Sequence, residues 1–197
     1  MASGSSAKLE LTANQIILIF AVSLLIILVY LAYVYLPRPV YNADYYGIPL
    51  TFRADLNEAD KVPVYPNEGY LYYELRGGLA KNITIAFVPI EGGNDIYSAE
   101  GFEVTYKLSL MFSLLGMNVT INAMNVTNYA NLPGKIQNPI IALVHPKFSN
   151  ETAVRLDGHV IHISGLPSND VTPYRNLDLA TVKFLMVVLG IIRDKNL

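Results

Sequence analysis

The sequence predicts an N-terminal transmembrane helix followed by one α/β domain, a mixed sheet with helices packed on it. Three observations carry this expectation. Residues 16–36 form an apolar block without a single charge. Two later segments, NITIAFVPI and NPIIALVHP, are apolar at nearly every position, as strands covered on both faces are. Around them lie stretches of helical period closed by glycine. A chain of 197 residues supports one good core but not two large domains.

The apolar block has Ser23 and three tyrosines as its only polar groups, and at 1.5 Å per residue it spans about 30 Å, the thickness of a bilayer's hydrocarbon core. It is too long for a signal peptide's apolar region. Bulky tyrosines also stand where a cleavage site needs small residues, so the segment reads as an uncleaved signal anchor. Tyr30, Tyr33 and Tyr35 suit the headgroup level, and Pro37 and Pro39 end the helix. The expected organisation is a flexible polar tail over 1–13, the transmembrane helix over 14–36, a juxtamembrane segment over 37–66 and the α/β domain over 67–197.

Flanking charge says little about orientation, with Lys8 and Glu10 before the block and Arg38 and Arg53 against Asp44 and Asp55 after it. Four N-x-T sequons, at Asn82, Asn118, Asn125 and Asn150, are candidate glycosylation sites. They place the globular part outside the cytoplasm, as the ectodomain of a single-pass cell-membrane protein.

Within the juxtamembrane segment, Tyr41, Tyr45, Tyr46 and Phe52 need something to pack on. Asp55 and Glu58 form a capping box, and Val62, Val64 and Tyr65 a short strand that Pro63 and Pro66 confine to an edge. NEGYLYYELRGG predicts a helix capped by Asn67, burying Leu71 and Leu75 and stopped at Gly77. NITIAFVPI is expected as the central strand. A helix over 99–115 follows, with a buried stripe at Phe102, Tyr106, Leu110 and Leu114, widened by Leu108, Met111, Phe112 and Leu115, and with Ser98 as its cap. MNVTINAMNV is a strand with one wet face, completing a βαβ unit with a right-handed crossover. NPIIALVHP gives another buried strand. In AVRLDGHVIHIS the Asp-Gly pair predicts a type I′ hairpin in which Leu156 faces His159 and Val154 faces Ile161. LDLATVKFLMVVLG is a buried helix from Leu177, capped by Asn176 or Asp178 and stopped at Gly190. At about 16 residues with Asp178 and Lys183 inside it, this last helix belongs to the core and is not a second membrane span.

The segments FRADLNEADKVPVYP and PIIALVHPKFSNETAVRLDGHVIHISG, taken with the N-terminal anchor, resemble parts of uncharacterised archaeal single-pass membrane proteins with an extracytoplasmic α/β domain. The resemblance implies a lineage and a topology. It implies no activity.

Without cysteine there are no disulfides and no thiolate chemistry. A net charge of −2 with no basic run argues against nucleic acid as a partner. His159 and His162 fall on opposite faces of one strand and His145 on another, with no HxH or HExxH spacing, so no metal is expected. No cofactor motif occurs, and GxSxG is missing. What remains is the loop Glu91, Gly92, Gly93, Asn94, Asp95 at the carboxyl end of a buried strand, where α/β sheets hold ligands, with His145 at the corresponding end of a neighbour. The plainer reading is a surface turn, since Asn and Asp are common turn residues and two acids would repel a phosphate. Two functions stay open. One is a non-enzymatic, membrane-anchored extracytoplasmic module that binds a protein or glycan partner in the cell envelope. The other is an anchored hydrolase or transferase using Glu91, Asp95 and His145.

Overall fold

The computed structural model describes residues 22–27, 41–92, 94–169 and 173–191. Residues 41–52 form a hairpin, because Tyr46 and Gly47 both take positive φ (52° and 80°), the requirement of a two-residue I′ turn. The Gly47 N–H donates to Asp44 Oδ1 at 2.9 Å. The hairpin's strands are β1 (Tyr41–Tyr45) and β2 (Ile48–Phe52), and Tyr45, Leu50 and Phe52 are buried in the main core. From residue 41 onward, therefore, the segment expected as a juxtamembrane connection packs with the rest of the domain in one compact unit. Its aromatics are used as core.

The helix α1 (Leu56–Ala59) follows, with Asp55 accepting from the N–H groups of Asn57 and Glu58. Next come the edge strand β3 (Val64–Tyr65) and α2 (Glu68–Arg76), whose cap Asn67 accepts from Tyr70 N–H and whose buried face carries Leu71 and Leu75. Then follow β4 (Asn82–Phe87), α3 (Asp95–Leu114), β5 (Thr120–Asn125), β6 (Ile140–Val144), β7 (Ala153–Asp157), β8 (Val160–Ser164) and α4 (Arg175–Leu189). The six-stranded sheet has the order β3-β7-β8-β6-β4-β5. Strands β8, β6, β4 and β5 run parallel, while β7 and its parallel neighbour β3 run the other way.

One sheet face, with Ile83, Ile85, Ile141, Leu143, Val154, Ile161 and Ile163, packs on the helices. The other, with Ala86, Ile140, Ala142 and Val160, is covered by Val126, Tyr129 and Leu132 of the loop after β5. The strand at the sheet's centre is β6, buried at all five positions, and not β4. β4 lies second from the edge. Its doubly apolar pattern comes from being sandwiched between the helices and that loop.

The expected hairpin forms between β7 and β8, but its two-residue turn lies one residue further along the chain. Asp157 pairs with Val160, Leu156 with Ile161 and Val154 with Ile163. Gly158 has φ +56° and His159 does not share its sign, so the loop is Gly158-His159, as in Gly-X turns, rather than Asp157-Gly158. Moving one residue on both strands preserves which side chains share a face, so the expected faces survive the change of register. Just beyond β8, a Cβ on Gly165 would collide with the backbone of Leu177, so only glycine lets the chain pass the start of α4.

The largest departure from expectation is the rotation of α3. The helix begins at Asp95, four residues before the expected start, with Asn94 at its cap position and Ser98 inside its first turn. Its buried face carries Ile96, Tyr97, Val104, Leu108, Met111 and Phe112 together with Glu100, Glu103 and Lys107. Of the expected stripe, Leu108, Met111 and Phe112 are buried and Leu110 packs on the core, while Leu114, Leu115 and above all Phe102 (73% exposed) and Tyr106 (53%) face outward. The buried charges are paired. Lys107 Nζ donates to Glu103 Oε1 at 2.6 Å and lies 4.4 Å from the Phe52 ring centre. On α4, buried Lys183 donates to Asp60 Oδ1 at 3.1 Å and meets Glu68 Oε1 at 2.6 Å, tying α4 to the ends of α1 and α2.

Glu100 faces the carboxyl of Asp178 on α4, with Arg53 Nη1 3.8 Å from its Oε1. Both Glu100 oxygens, Asp178 Oδ1 and Thr181 Oγ1 are buried without a conventional hydrogen-bond partner. One proton on Glu100 resolves the conflict by making the acid–acid contact a hydrogen bond. Burial first, and then Asp178, push the Glu100 carboxyl well above its ordinary range, with Thr181 and Arg53 opposing.

The helix α4 buries eleven of its fifteen residues and ends at Gly190 in the left-handed region. Asn176 and Asp178 do not cap it, because it starts at Arg175 with Tyr174 at the cap position. Among the described residues no helix is long and apolar enough to cross a membrane. The expected transmembrane helix lies outside the described residues except for 22–27, which are helical with exposed side chains. The expected tail over 1–13 lies outside them altogether.

Two stability predictions follow from the paired charges. Lys183→Met removes the buried ammonium that Asp60 and Glu68 share and should cost about 1.5–3 kcal/mol in urea denaturation, the usual range for hydrogen bonds to charged groups. For Glu100, the folded protein keeps its proton to higher pH than the unfolded chain does, so folding is increasingly opposed as pH rises above about 4.5 toward the folded pKa. Wild type should therefore lose stability relative to Glu100→Gln progressively as pH rises above about 4.5. A constant difference between the two melts would show that Glu100 is ionised in the fold.

Candidate functional site

In the sheet order, β4 connects through α3 to β5 on one side, while β6, on the other side of β4, leads away to β7 and β8. The carboxyl ends of β4 and β6 thus flank a topological switch point, where open α/β sheets place their ligands. His145 stands immediately after β6, and Tyr97, Tyr129 and Tyr174 gather there from α3, the loop after β5 and the approach to α4.

Tyr129 clips the two strand ends together. Its hydroxyl donates to the Leu143 carbonyl at 2.6 Å and accepts from Val88 N–H at 3.1 Å. Having given its only proton to Leu143, it must also accept from the Tyr97 hydroxyl at 3.2 Å. Burial and this hydrogen bond push Tyr97 far above the ordinary phenol range, so it stays a neutral donor.

His145 Nδ1 accepts from Lys147 N–H at 3.0 Å, so in the neutral ring the proton sits on Nε2. That Nε2–H is buried without a hydrogen-bond partner, and the Tyr174 and Tyr97 rings lie 5.5 and 5.9 Å from the imidazole. Burial and then Lys147 lower the His145 pKa, and the charge of Asp95 opposes them. In this arrangement His145 offers a proton donor but no free lone pair, which is not the equipment of a general base.

Of the other candidate residues, Asp95 is exposed and reaches His145 only through its field. Glu91 is exposed beside Gly92, whose φ is +72°. Asn94 Oδ1 accepts from Ile90 N–H at 2.9 Å, closing the loop on itself. The loop is built as a turn. His159 sits in its hairpin loop with Nδ1 2.9 Å from Glu74 Oε1, and His162 pairs across the sheet with Arg155. Burial lowers the His162 pKa. Among the described residues no three metal-ligating side chains are gathered.

The concavity near the switch point lies beside this cluster, between α3 and β5. It holds about 510 Å³ and is lined by Phe87, Tyr97 and Phe102 with Asn94, Ser98, Thr105, Asn122 and Asn125. Its lining carries no charged side chain. Sequence reasoning missed this groove because it assigned Phe102 to the core. The presence of Glu100, Glu103 and Lys107 on the opposite side of the helix was no guide, since those charges are buried. All four sequon asparagines, Asn82, Asn118, Asn125 and Asn150, are exposed.

No family model matches the chain, and neither a curated protein nor a solved structure matches it significantly.

The site makes two contrasting predictions. Replacing both Glu91 and Asp95 with Ala should change stability by no more than about 0.5 kcal/mol, because both are solvated. Tyr129→Phe leaves Val88 N–H and the Tyr97 hydroxyl without their acceptor and should cost about 1–3 kcal/mol. Chemical denaturation measures both, and equal effects would remove Tyr129 from its place at the switch point.

Proposed function

We propose that the protein is a single-pass, membrane-anchored module with its α/β domain outside the cytoplasm, where it binds a protein partner of the cell envelope without catalysis. The observation that carries the reading is the outer face of α3. Phe102 and Tyr106 stack there at 6.3 Å with planes 9° apart, and Leu114 and Leu115 continue the apolar surface. A 20-residue helix that turns its aromatic i, i+4 pair to water and its charges inward presents a docking stripe of the helix-packing kind.

The anchor rests on the uncharged block 16–36 and on the exposed apolar side chains of the helical residues 22–27. The outward placement is supported by the exposed sequons and by the resemblance to single-pass archaeal proteins. A second reading, an anchored hydrolase or transferase using Glu91, Asp95 and His145, draws on the unpartnered Nε2–H. It requires His145→Ala to abolish function while the fold survives.

Protease added to intact cells should digest the domain. A photo-crosslinking residue at Tyr106 should trap one discrete partner, whereas the same probe at Tyr70, on α2, should not. Phe102→Ala with Tyr106→Ala should abolish the crosslink formed from Leu110 while leaving the melting curve nearly unchanged. A domain protected in cells and cut in inverted vesicles would reverse the orientation, and an uncrosslinked stripe would remove the docking role.

A further inference from the structure

We propose that Asn125 carries an N-linked glycan whose first sugars fold back into the groove between α3 and β5. The proposal rests on the outward placement of the domain. Asn125 closes β5, the free edge of the sheet, and is in register with Phe87 on β4. Residues in register on adjacent parallel strands point to the same face, about 4.8 Å apart. Asn125 therefore shares the helix-facing side of the sheet with Phe87, and both line the groove.

The groove's chemistry matches a sugar. Its rings, Phe87, Tyr97 and Phe102, offer faces to the C–H groups of a pyranose. Its polar groups are amides and hydroxyls without charge, as neutral sugar hydroxyls require. A volume of about 510 Å³ falls within the usual range of small-molecule sites, about 300–1,000 Å³. The sugars would meet the side of Phe102 that lines the groove, while Tyr106, Leu114 and Leu115 lie outside the groove lining and stay open to the partner.

Among the four sequons, only that of Asn125 opens on the groove. Asn82 gives its amide to Asn138, and the hydroxyl of Thr152, two residues beyond Asn150, accepts from Leu166 N–H. Asn125 and Thr127 are both exposed where the edge strand ends. In the modification the Asn125 amide nitrogen attacks the anomeric carbon of a lipid-linked oligosaccharide. A C–N bond forms, the C–O bond to the lipid phosphate breaks with its electron pair leaving on phosphate, and the amide proton passes to the transferase's base.

Protein purified from its host's membranes provides the test. Mass spectrometry should find a glycan on the peptide containing Asn125, absent in Asn125→Gln and in Thr127→Ala. The glycosylated protein should melt about 2–4 °C above Thr127→Ala, and this gain should vanish when both carry Phe102→Ala. An unmodified Asn125 in a domain that external protease reaches overturns the proposal but spares the outward placement. An unmodified Asn125 in a protected domain overturns both. A glycan whose Tm gain survives Phe102→Ala overturns its seat in the groove.

Discussion

The rotation of α3 about its own axis decides what this domain buries and what it shows, and the hairpin's Phe52 and α4's Asp178 meet its buried face. The helix carries apolar side chains on every side, with charges among them, so the hydrophobic effect alone chooses weakly. The observed face buries six apolar side chains, from Ile96 to Phe112, where the opposite face would bury Phe102, Tyr106, Leu110 and Leu114. At about 1.5–3 kcal/mol for each side chain, the difference is only a few kcal/mol. The orientation found also sets Lys107 against the Phe52 ring and Glu100 against the Asp178 carboxyl, whereas the Lys107–Glu103 pair lies within the helix and forms in either orientation. Because Phe52 lies on the hairpin and Asp178 on α4, fixing α3 also fixes the hairpin and α4 beside it.

The sheet imposes a second, independent constraint. Four parallel strands put their carboxyl ends on one side, and the reversal of β7 and β3 leaves the crevice between β4 and β6 as the switch point. The chain spends that position on structure. Tyr129 satisfies Val88 and Leu143 across the crevice, Asn94 closes the loop after β4, and Lys147 occupies His145 Nδ1. A groove opens one step to the side, where β5 is the edge strand among the described residues.

Elements set by local chemistry were legible in the sequence. Asp55 and Asn67 cap their helices, Leu71 and Leu75 face inward, Ile140–Val144 is wholly buried, and Gly190 stops α4. These signals act over a few residues and do not depend on distant partners. The hairpin of residues 41–52 was missed because its turn, Tyr46-Gly47, puts a tyrosine where positive φ usually selects Asn, Asp or Gly. The phase of α3 was missed for the opposite reason. Glu100, Glu103 and Lys107 read as a wet face unless Phe52 and Asp178, far away in sequence, are known to meet them. The groove depends on that phase, and so it was out of reach as well. The loop over 91–95 was legible as the turn after a buried strand, but the strand order around it and the roles of Tyr97, Tyr129 and Tyr174 needed the fold.

The exposed rings of α3 and the open edge of β5 belong to one flank, and they have one cause. A helix with apolar side chains on every side must leave some of its aromatics wet, and turning the charges inward places Phe102 and Tyr106 outward. The last strand of a βαβ unit with no further strand beside it leaves its outer backbone groups unpaired. An edge of this kind invites pairing with other chains unless something covers or blunts it. Here β5 has asparagines at Asn122 and Asn125 and little apolar burial, which blunts the edge without hiding it. Exposed aromatics thus gather where α3 and β5 meet, at Phe102 and Tyr106, while Tyr70 and Tyr73 expose a second pair on α2, beside the Lys183 contacts that tie α4 to α1 and α2.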